Sequence, residues 1–125
     1  MKLTEHFNLK DFSCRDGAPY PWPWIEDRLR PLCNALEIVR AITGRPMIIT
    51  SGYRTEGYNR KVGGASKSKH KEGLAADFKL EGITPKKLFP ILDRFQRTGV
   101  LPKGGLHAYA TFTHIDIGGP NIRRW

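Results

Sequence analysis

The stretch SKHKEGLAAD, residues 68–77, decides the interpretation of this chain, because it places a histidine and an aspartate on either side of a glycine. These two residues are His70 and Asp77, and a second histidine, His114, follows later in the chain. Two imidazoles and a carboxylate form the ligand set of a catalytic zinc site, in which three protein ligands leave the fourth position open. The stretch therefore predicts a metal site.

Two predicted strands carry most of this ligand set. Their apolar residues indicate strands over 74–80 and 113–117. Because alternate residues of a strand face the same side, we expect His114 and Asp116 to point into one cleft. Asp77 lies in the middle of the other strand and could meet them there.

The remaining segments predict helices and strands in alternation. Apolar residues at helical spacing indicate a helix over 25–42, in which Pro31 marks either a kink or the true start. A second helix over 85–97 begins with Thr84 as its cap and Pro85 as its first residue. A buried strand over 46–50, a short helix over 56–62 and a strand over 105–109 complete the order. Since the last two strands are close enough for a hairpin, we expect an α+β fold with a mainly antiparallel sheet flanked by helices.

Length and composition indicate one globular domain. The chain has 125 residues, of which 39% are hydrophobic and 26% are charged, and such a chain buries a core without covalent staples. We therefore expect residues 1–125 to form a single domain. Residues 1–24 form an irregular arm rich in proline and tryptophan, whose tryptophans we expect to cover the core. Cys33 falls in the helical apolar pattern and is expected in the core, and Cys14 is the one residue that could pair with it.

The charge balance narrows the class of partner. The formal net charge is +9, which favours a polyanionic partner such as nucleic acid or an anionic cell wall. The sequence contains no nucleic-acid recognition motif, so we do not expect nucleic acid as the partner. No apolar run is long enough to span a membrane, and the first residues lack the apolar stretch of a signal peptide. We expect a monomer that is synthesised in the cytoplasm and does not insert into a membrane.

Three motifs occur together and in a fixed order. SGYR occupies residues 51–54, SxHxxGxAxD residues 68–77 and HxD residues 114–116. This combination resembles the M15 family of zinc D,D- and L,D-peptidases, which cut bacterial peptidoglycan. The segment LTEHF near the start and the final residues RRW are similar to those of short phage and bacterial members. The resemblance implies the fold that these peptidases share with the amino-terminal domain of Hedgehog.

The resemblance also implies roles for individual residues. His70, Asp77 and His114 would be the ligands of Zn²⁺. Arg54 would face the substrate as a cation that binds a carboxyl group or the oxyanion, a role that suits the charged fork of a guanidinium. Ser68 would bond to a ligand or to the substrate.

The general base departs from the family pattern. Many members have a Glu or Asp three residues before the last ligand, but here that position is Thr111, which cannot deprotonate a water. Asp116 shares a strand face with His114 and would accept a proton or orient a ligand imidazole. His107 lies on the preceding strand, and the ordinary pKa of histidine suits proton transfer near neutral pH. We predict His107 as the acid/base and Asp116 as the orienting group.

Two functions remain open on this basis. The first is a zinc-dependent peptidase that hydrolyses peptide bonds in peptidoglycan stem peptides or cross-links with a metal-activated water. Such a protein would act on the cell wall as a phage or prophage lysis protein. The second is a non-catalytic peptidoglycan-binding module on the same fold, which the threonine at position 111 favours.

Overall fold

The computed structural model describes residues 1–125 and contains three α-helices and one four-stranded sheet. The helices are α1 (Arg30–Thr43), α2 (Glu56–Lys61) and α3 (Pro85–Arg97), and the strands are β1 (Met47–Ser51), β2 (Ala75–Leu80), β3 (Leu106–Ala108) and β4 (Thr113–Asp116). The strand order is β1-β2-β4-β3, and all neighbouring strands are antiparallel. The predicted α+β class and antiparallel sheet are therefore confirmed. None of the helices is both long and apolar enough to cross a bilayer.

The ends of the two long helices follow from local chemistry. A short π-helical segment, Ile25–Leu29, runs directly into α1, and Pro31 is the second residue of α1, where the hydrogen-bond pattern changes from π to α. Gly44 ends α1 in the left-handed conformation, at φ +64°. The hydroxyl of Thr84 accepts a hydrogen bond from the backbone N–H of Lys87, 3.2 Å away, and so begins α3. Pro31 thus marks the true start of the α-helix, one of the two predicted alternatives.

The two faces of the sheet are chemically different. Ala76 and Phe78 of β2 and Ile115 of β4 are buried in the hydrophobic core. Because strand residues alternate, Asp77 and His114 point to the opposite face. The same core contains buried apolar residues of the two long helices, namely Leu32, Leu36, Val39, Leu88 and Leu92. The apolar face therefore packs on the helices, and the other face carries the polar groups.

Strand β1 differs from the prediction of a buried strand over 46–50. It lies at the edge of the sheet and pairs only with β2. Ile48 is 68% exposed and lies opposite the exposed Lys79, whereas Met47 and Ile49 pack against the core. The prediction of burial was wrong because a run of apolar residues does not show whether a strand is central or at an edge.

The arm contains two short 3-10 helices, of which Leu9–Phe12 packs against β1 and Trp22–Trp24 against the Ile25–Leu29 segment before α1. Phe12 is fully buried and lies so close to Gly52 that a Cβ there would be 2.6 Å from the Phe12 Cα. Trp24 packs against the core, but Trp22 is 71% exposed. The prediction that the tryptophans cover the core is correct for Trp24 and wrong for Trp22.

The two cysteines are both buried and both free. Cys33 belongs to the core, as predicted, and burial raises the pKa of its thiol to about 12. The Sγ of Cys14 lies 4.0 Å from the Thr55 hydroxyl. The disulfide that the sequence left open is therefore absent.

Candidate metal centre

The three predicted ligands converge on one point on the polar face of the sheet. Oδ1 of Asp77 lies 3.1 Å from Nε2 of His70 and 3.0 Å from Nδ1 of His114. All three side chains are buried, and their ligand atoms lie within 4.8 Å of one another. Asp77 and His114 are directly paired residues of β2 and β4. The antiparallel register therefore brings together two ligands that are far apart in sequence.

The loop before β2 holds the imidazole of His70 in a fixed orientation. Its Nδ1 lies 2.7 Å from the backbone carbonyl of Gly52. The backbone N–H of His70 donates to the hydroxyl of Ser68 at 3.2 Å, and the backbone N–H of Arg54 donates to the His70 carbonyl at 3.1 Å. Ser68 thus contacts the backbone of a predicted ligand.

Asp116 orients the second imidazole. Its Oδ2 lies 2.9 Å from Nε2 of His114. Its Oδ1 accepts hydrogen bonds from the backbone N–H groups of Gly105 at 2.9 Å and Gly118 at 3.1 Å, and from the guanidinium of Arg123. Burial alone raises the pKa of Asp116, but the hydrogen bonds with His114 and Gly105 outweigh burial and lower this pKa. Both carboxylate oxygens are therefore occupied, the arrangement expected of a group that orients a ligand.

The hydrogen-bond partners of the two imidazoles fit a cation at this site. A neutral imidazole carries one ring proton, and on His70 this proton lies on Nδ1, because the Gly52 carbonyl can only accept. Nε2 of His70 then directs a lone pair toward Asp77 Oδ1, and Nδ1 of His114 does the same when its ring proton is on Nε2, beside Asp116. Three converging acceptors require a cation between them, and two nitrogens with one carboxylate oxygen suit a divalent metal.

The pKa values of the metal-free site agree with this reading. Burial lowers the pKa of His114, but hydrogen bonds with Asp116 and Asp77 outweigh burial and raise it above its usual value. Burial likewise raises the pKa of Asp77, but hydrogen bonds with His114 and His70 hold it below the usual range of a carboxyl group. The two neighbouring carboxylates thus favour positive charge at the position between them.

A cleft of about 470 Å³ opens beside the three ligands. The cationic side chains that line it are Arg54, Lys67, Lys69 and Arg123. The aromatic ones are Tyr109, Phe112 and Trp125. Asp77 and Asp116 are the only acidic side chains that line it. The cleft therefore suits a ligand that carries negative charge.

Arg54 lies at the edge of the ligand set, with all three guanidinium nitrogens engaged. Nε donates to the Ser51 hydroxyl at 3.2 Å, Nη1 to Oδ1 of Asn59 at 3.3 Å, and Nη2 to Oδ2 of Asp77 at 3.2 Å. Glu56, two residues after Arg54, forms an ion pair with Lys71 and not with Arg54. No sequence pattern pointed to Asn59, because an isolated asparagine in a short helix carries no recognisable signal.

His107 occupies a different position from the other predicted residues. It pairs with His114 across β3 and β4. Its ring stacks on that of Trp125, with the ring centroids 5.2 Å apart and an angle of 3° between the ring planes. His107 does not line the cleft. Trp125 also contacts His114 edge-on at 5.1 Å. The structure thus places six of the seven predicted site residues at the cleft. The seventh, His107, packs against the ring of Trp125 and lies outside the cleft lining.

A buried His–Asp–His set with an arginine at a charged cleft defines a candidate metal-dependent hydrolase. The family model described as Peptidase M15 matches residues 5–116, and the chain belongs to this family of metal-dependent peptidases. No curated protein matches the chain significantly. The family resemblance carried by the three sequence motifs is therefore confirmed.

We predict that Asp116→Asn weakens zinc binding by about 10- to 100-fold, because groups that orient a metal-bound imidazole have effects of this size. The affinity is measured by competition with a chromophoric chelator. Asp27→Asn, at an exposed residue remote from the cleft, is the matched control and keeps the wild-type affinity. Equal affinities for Asp116→Asn and the wild type would show that Asp116 does not orient His114.

We predict that stabilisation by zinc grows as the pH rises from about 6.5, the ordinary pKa of histidine. The raised pKa of His114 stabilises the metal-free fold fully below that pH, and this contribution is lost as the pH rises through the folded-state pKa. Over the same interval His114 loses the proton that competes with the metal. Thermal unfolding with and without zinc between pH 5.5 and 8.5 measures both trends. An equal zinc-induced change in Tm at all these pH values contradicts the prediction.

Proposed function

We propose that this protein is a zinc-dependent peptidase that hydrolyses peptide bonds in the stem peptides or cross-links of bacterial peptidoglycan. The observation that carries the proposal is the buried convergence of His70, Asp77 and His114 at the floor of an open cleft. Three ligands of this composition with one open side are typical of catalytic zinc sites, whereas structural zinc sites are closed by four protein ligands.

Each residue of the site would have a distinct role in the proposed hydrolysis. Zinc, when bound, lowers the pKa of a water and polarises the substrate carbonyl. Asp116 keeps the imidazole of His114 in the tautomer that leaves Nδ1 free for the metal. Three of the five N–H groups of the Arg54 guanidinium donate to protein acceptors, which leaves two for a substrate carboxyl group or a developing oxyanion. Ser68 supports the backbone of His70.

The charge of the cleft supports a wall peptide as the substrate. Stem peptides carry free carboxyl groups, and the cleft presents Lys67 and Lys69 beside Arg54. The formal net charge of +9 favours residence on an anionic wall. We infer action at the cell wall from these features together with the family.

The test is digestion of purified sacculi, followed by mass spectrometry for new amine termini. The wild type is expected to release fragments, EDTA to abolish the release, and added zinc to restore it. His70→Ala is expected to lose at least about 1,000-fold in rate, because the metal chemistry depends on it. His6→Ala is the matched control, since His6 lies in the arm and pairs with Glu37.

Folding of each variant is checked by circular dichroism, because removing His70 leaves the buried Asp77 with one partner fewer. Release of fragments in EDTA, or a full rate for folded His70→Ala, contradicts the proposal. Fragment analysis of defined muropeptides then identifies the bond that is cut.

One observation favours the alternative of a non-catalytic binding module. The cleft contains no acidic side chain that is free to accept a proton, because Asp77 faces the metal position and both oxygens of Asp116 are occupied. Thr111 stands where many family members have an acid. Binding of the wild type to sacculi without any new amine termini would identify this module.

We predict that His107→Phe lowers kcat by about 100-fold or more if His107 transfers the proton. Phenylalanine preserves the stacking on Trp125 but cannot exchange a proton, so the substitution separates the two roles. The pH–rate profile of the variant is expected to lose one ionisation. A rate and profile equal to those of the wild type would leave His107 with a packing role only.

A further inference from the structure

We propose that Asn59 is a positioning residue that sets the orientation of Arg54 and ties it to the wall of the cleft formed by residues 63–65. Its kinetic consequence rests on the proposed function. Asn59 is polar yet only 2% exposed, and it lies on α2, outside the ligand set. Its role would be to hold the guanidinium, with no contact to the substrate.

The side-chain amide of Asn59 has two partners on opposite sides. Its Nδ2 donates to the backbone carbonyl of Ala65 at 2.9 Å, and its Oδ1 accepts from Nη1 of Arg54 at 3.3 Å. The orientation of the amide is determined by chemistry, since a carbonyl only accepts and a guanidinium only donates. A buried amide with both ends satisfied has little freedom to rotate.

The backbone around Asn59 reinforces this connection. The Asn59 carbonyl accepts from the backbone N–H of Gly64 at 2.8 Å, and the Asn59 N–H donates to Thr55 at the start of α2. A Cβ at Gly64 would collide with Oδ1 of Asn59 and lie 3.0 Å from Nη1 of Arg54. The glycine therefore allows the cleft wall to approach the pair of side chains.

The effect on Arg54 follows from its three acceptors. Ser51, Asn59 and Asp77 each accept from a different nitrogen, so the plane of the guanidinium is fixed. Asn59 draws Nη1 away from Asp77, and Arg54 contacts this predicted ligand through Nη2 alone. Without Asn59, the planar guanidinium of Arg54 would be free to rotate and to bring Nη1 toward the Asp77 carboxylate. Its remaining N–H groups would then no longer face the cleft.

A double-mutant cycle on kcat/KM tests the proposal with a soluble disaccharide-pentapeptide as the substrate. Asn59→Ala is expected to lose about 10- to 100-fold, the cost of a misplaced catalytic group. In the Arg54→Lys background the same change is expected to cost less than about 3-fold, because interacting residues are not additive. Equal losses in both backgrounds would overturn the proposal.

Gly64→Ala approaches the same contact from the other side. Its Cβ would displace the Asn59 amide, so we expect a loss similar to that of Asn59→Ala. Gly57→Ala is the matched control, because a Cβ at this helical glycine meets nothing within 4 Å, and it is expected to keep the wild-type rate. If Asn59→Ala does not fold, Gly64→Ala takes its place in the cycle, and a wild-type rate for folded Gly64→Ala overturns the proposal.

NMR of the Arg54 Nε–H group gives a readout that does not depend on activity. In the wild type its ¹⁵N heteronuclear NOE is expected to be that of a rigid group, and in Asn59→Ala or Gly64→Ala that of a mobile one. An unchanged NOE in the folded variants overturns the positioning role. If the wild type cleaves no muropeptide, the proposed function is wrong, and this NOE alone decides the positioning role.

Discussion

The buried carboxylate of Asp77 is the group on which the rest of the site depends. Its Oδ1 faces the imidazoles of His70 and His114, and its Oδ2 accepts from Arg54. A buried charge without partners is very costly, so the loop before β2, strand β4 and the segment after β1 are all held in the positions that supply those partners. The carboxylate thus couples the folding of three separate segments to the formation of one polar centre.

A second layer of contacts holds each inner group from behind. The Gly52 carbonyl holds His70, Asp116 holds His114, and Asn59 holds Arg54. Since hydrogen bonds strengthen one another where water is excluded, this layer determines proton positions as well as geometry. The sheet can hold these buried polar groups without disrupting the hydrophobic core, because the core packs on its opposite face. Chemistry and stability are therefore separated onto the two faces of the same strands.

Local signals in the sequence predicted most of the fold. Helix α3 has the predicted bounds because Thr84 and Pro85 act within one turn, and Gly44 ends α1 as expected. The errors concern exposure. Ile48 and Trp22 are apolar residues that the fold leaves in solvent, because burial depends on which segment lies opposite, and the sequence of a single segment does not contain that information.

The sequence by itself predicted the kinds of candidate ligand and their order, because the SxHxxGxAxD and HxD motifs are local patterns of chemistry. It also determined the α+β class, since helical and strand periodicities are local. Only the tertiary structure decided that Asp77 lies opposite His114, that both oxygens of Asp116 are occupied and that His107 stacks on Trp125. These features depend on strand register and on the path of the chain around the sheet. Such long-range pairing is set by the packing of the whole molecule, so no short segment specifies it.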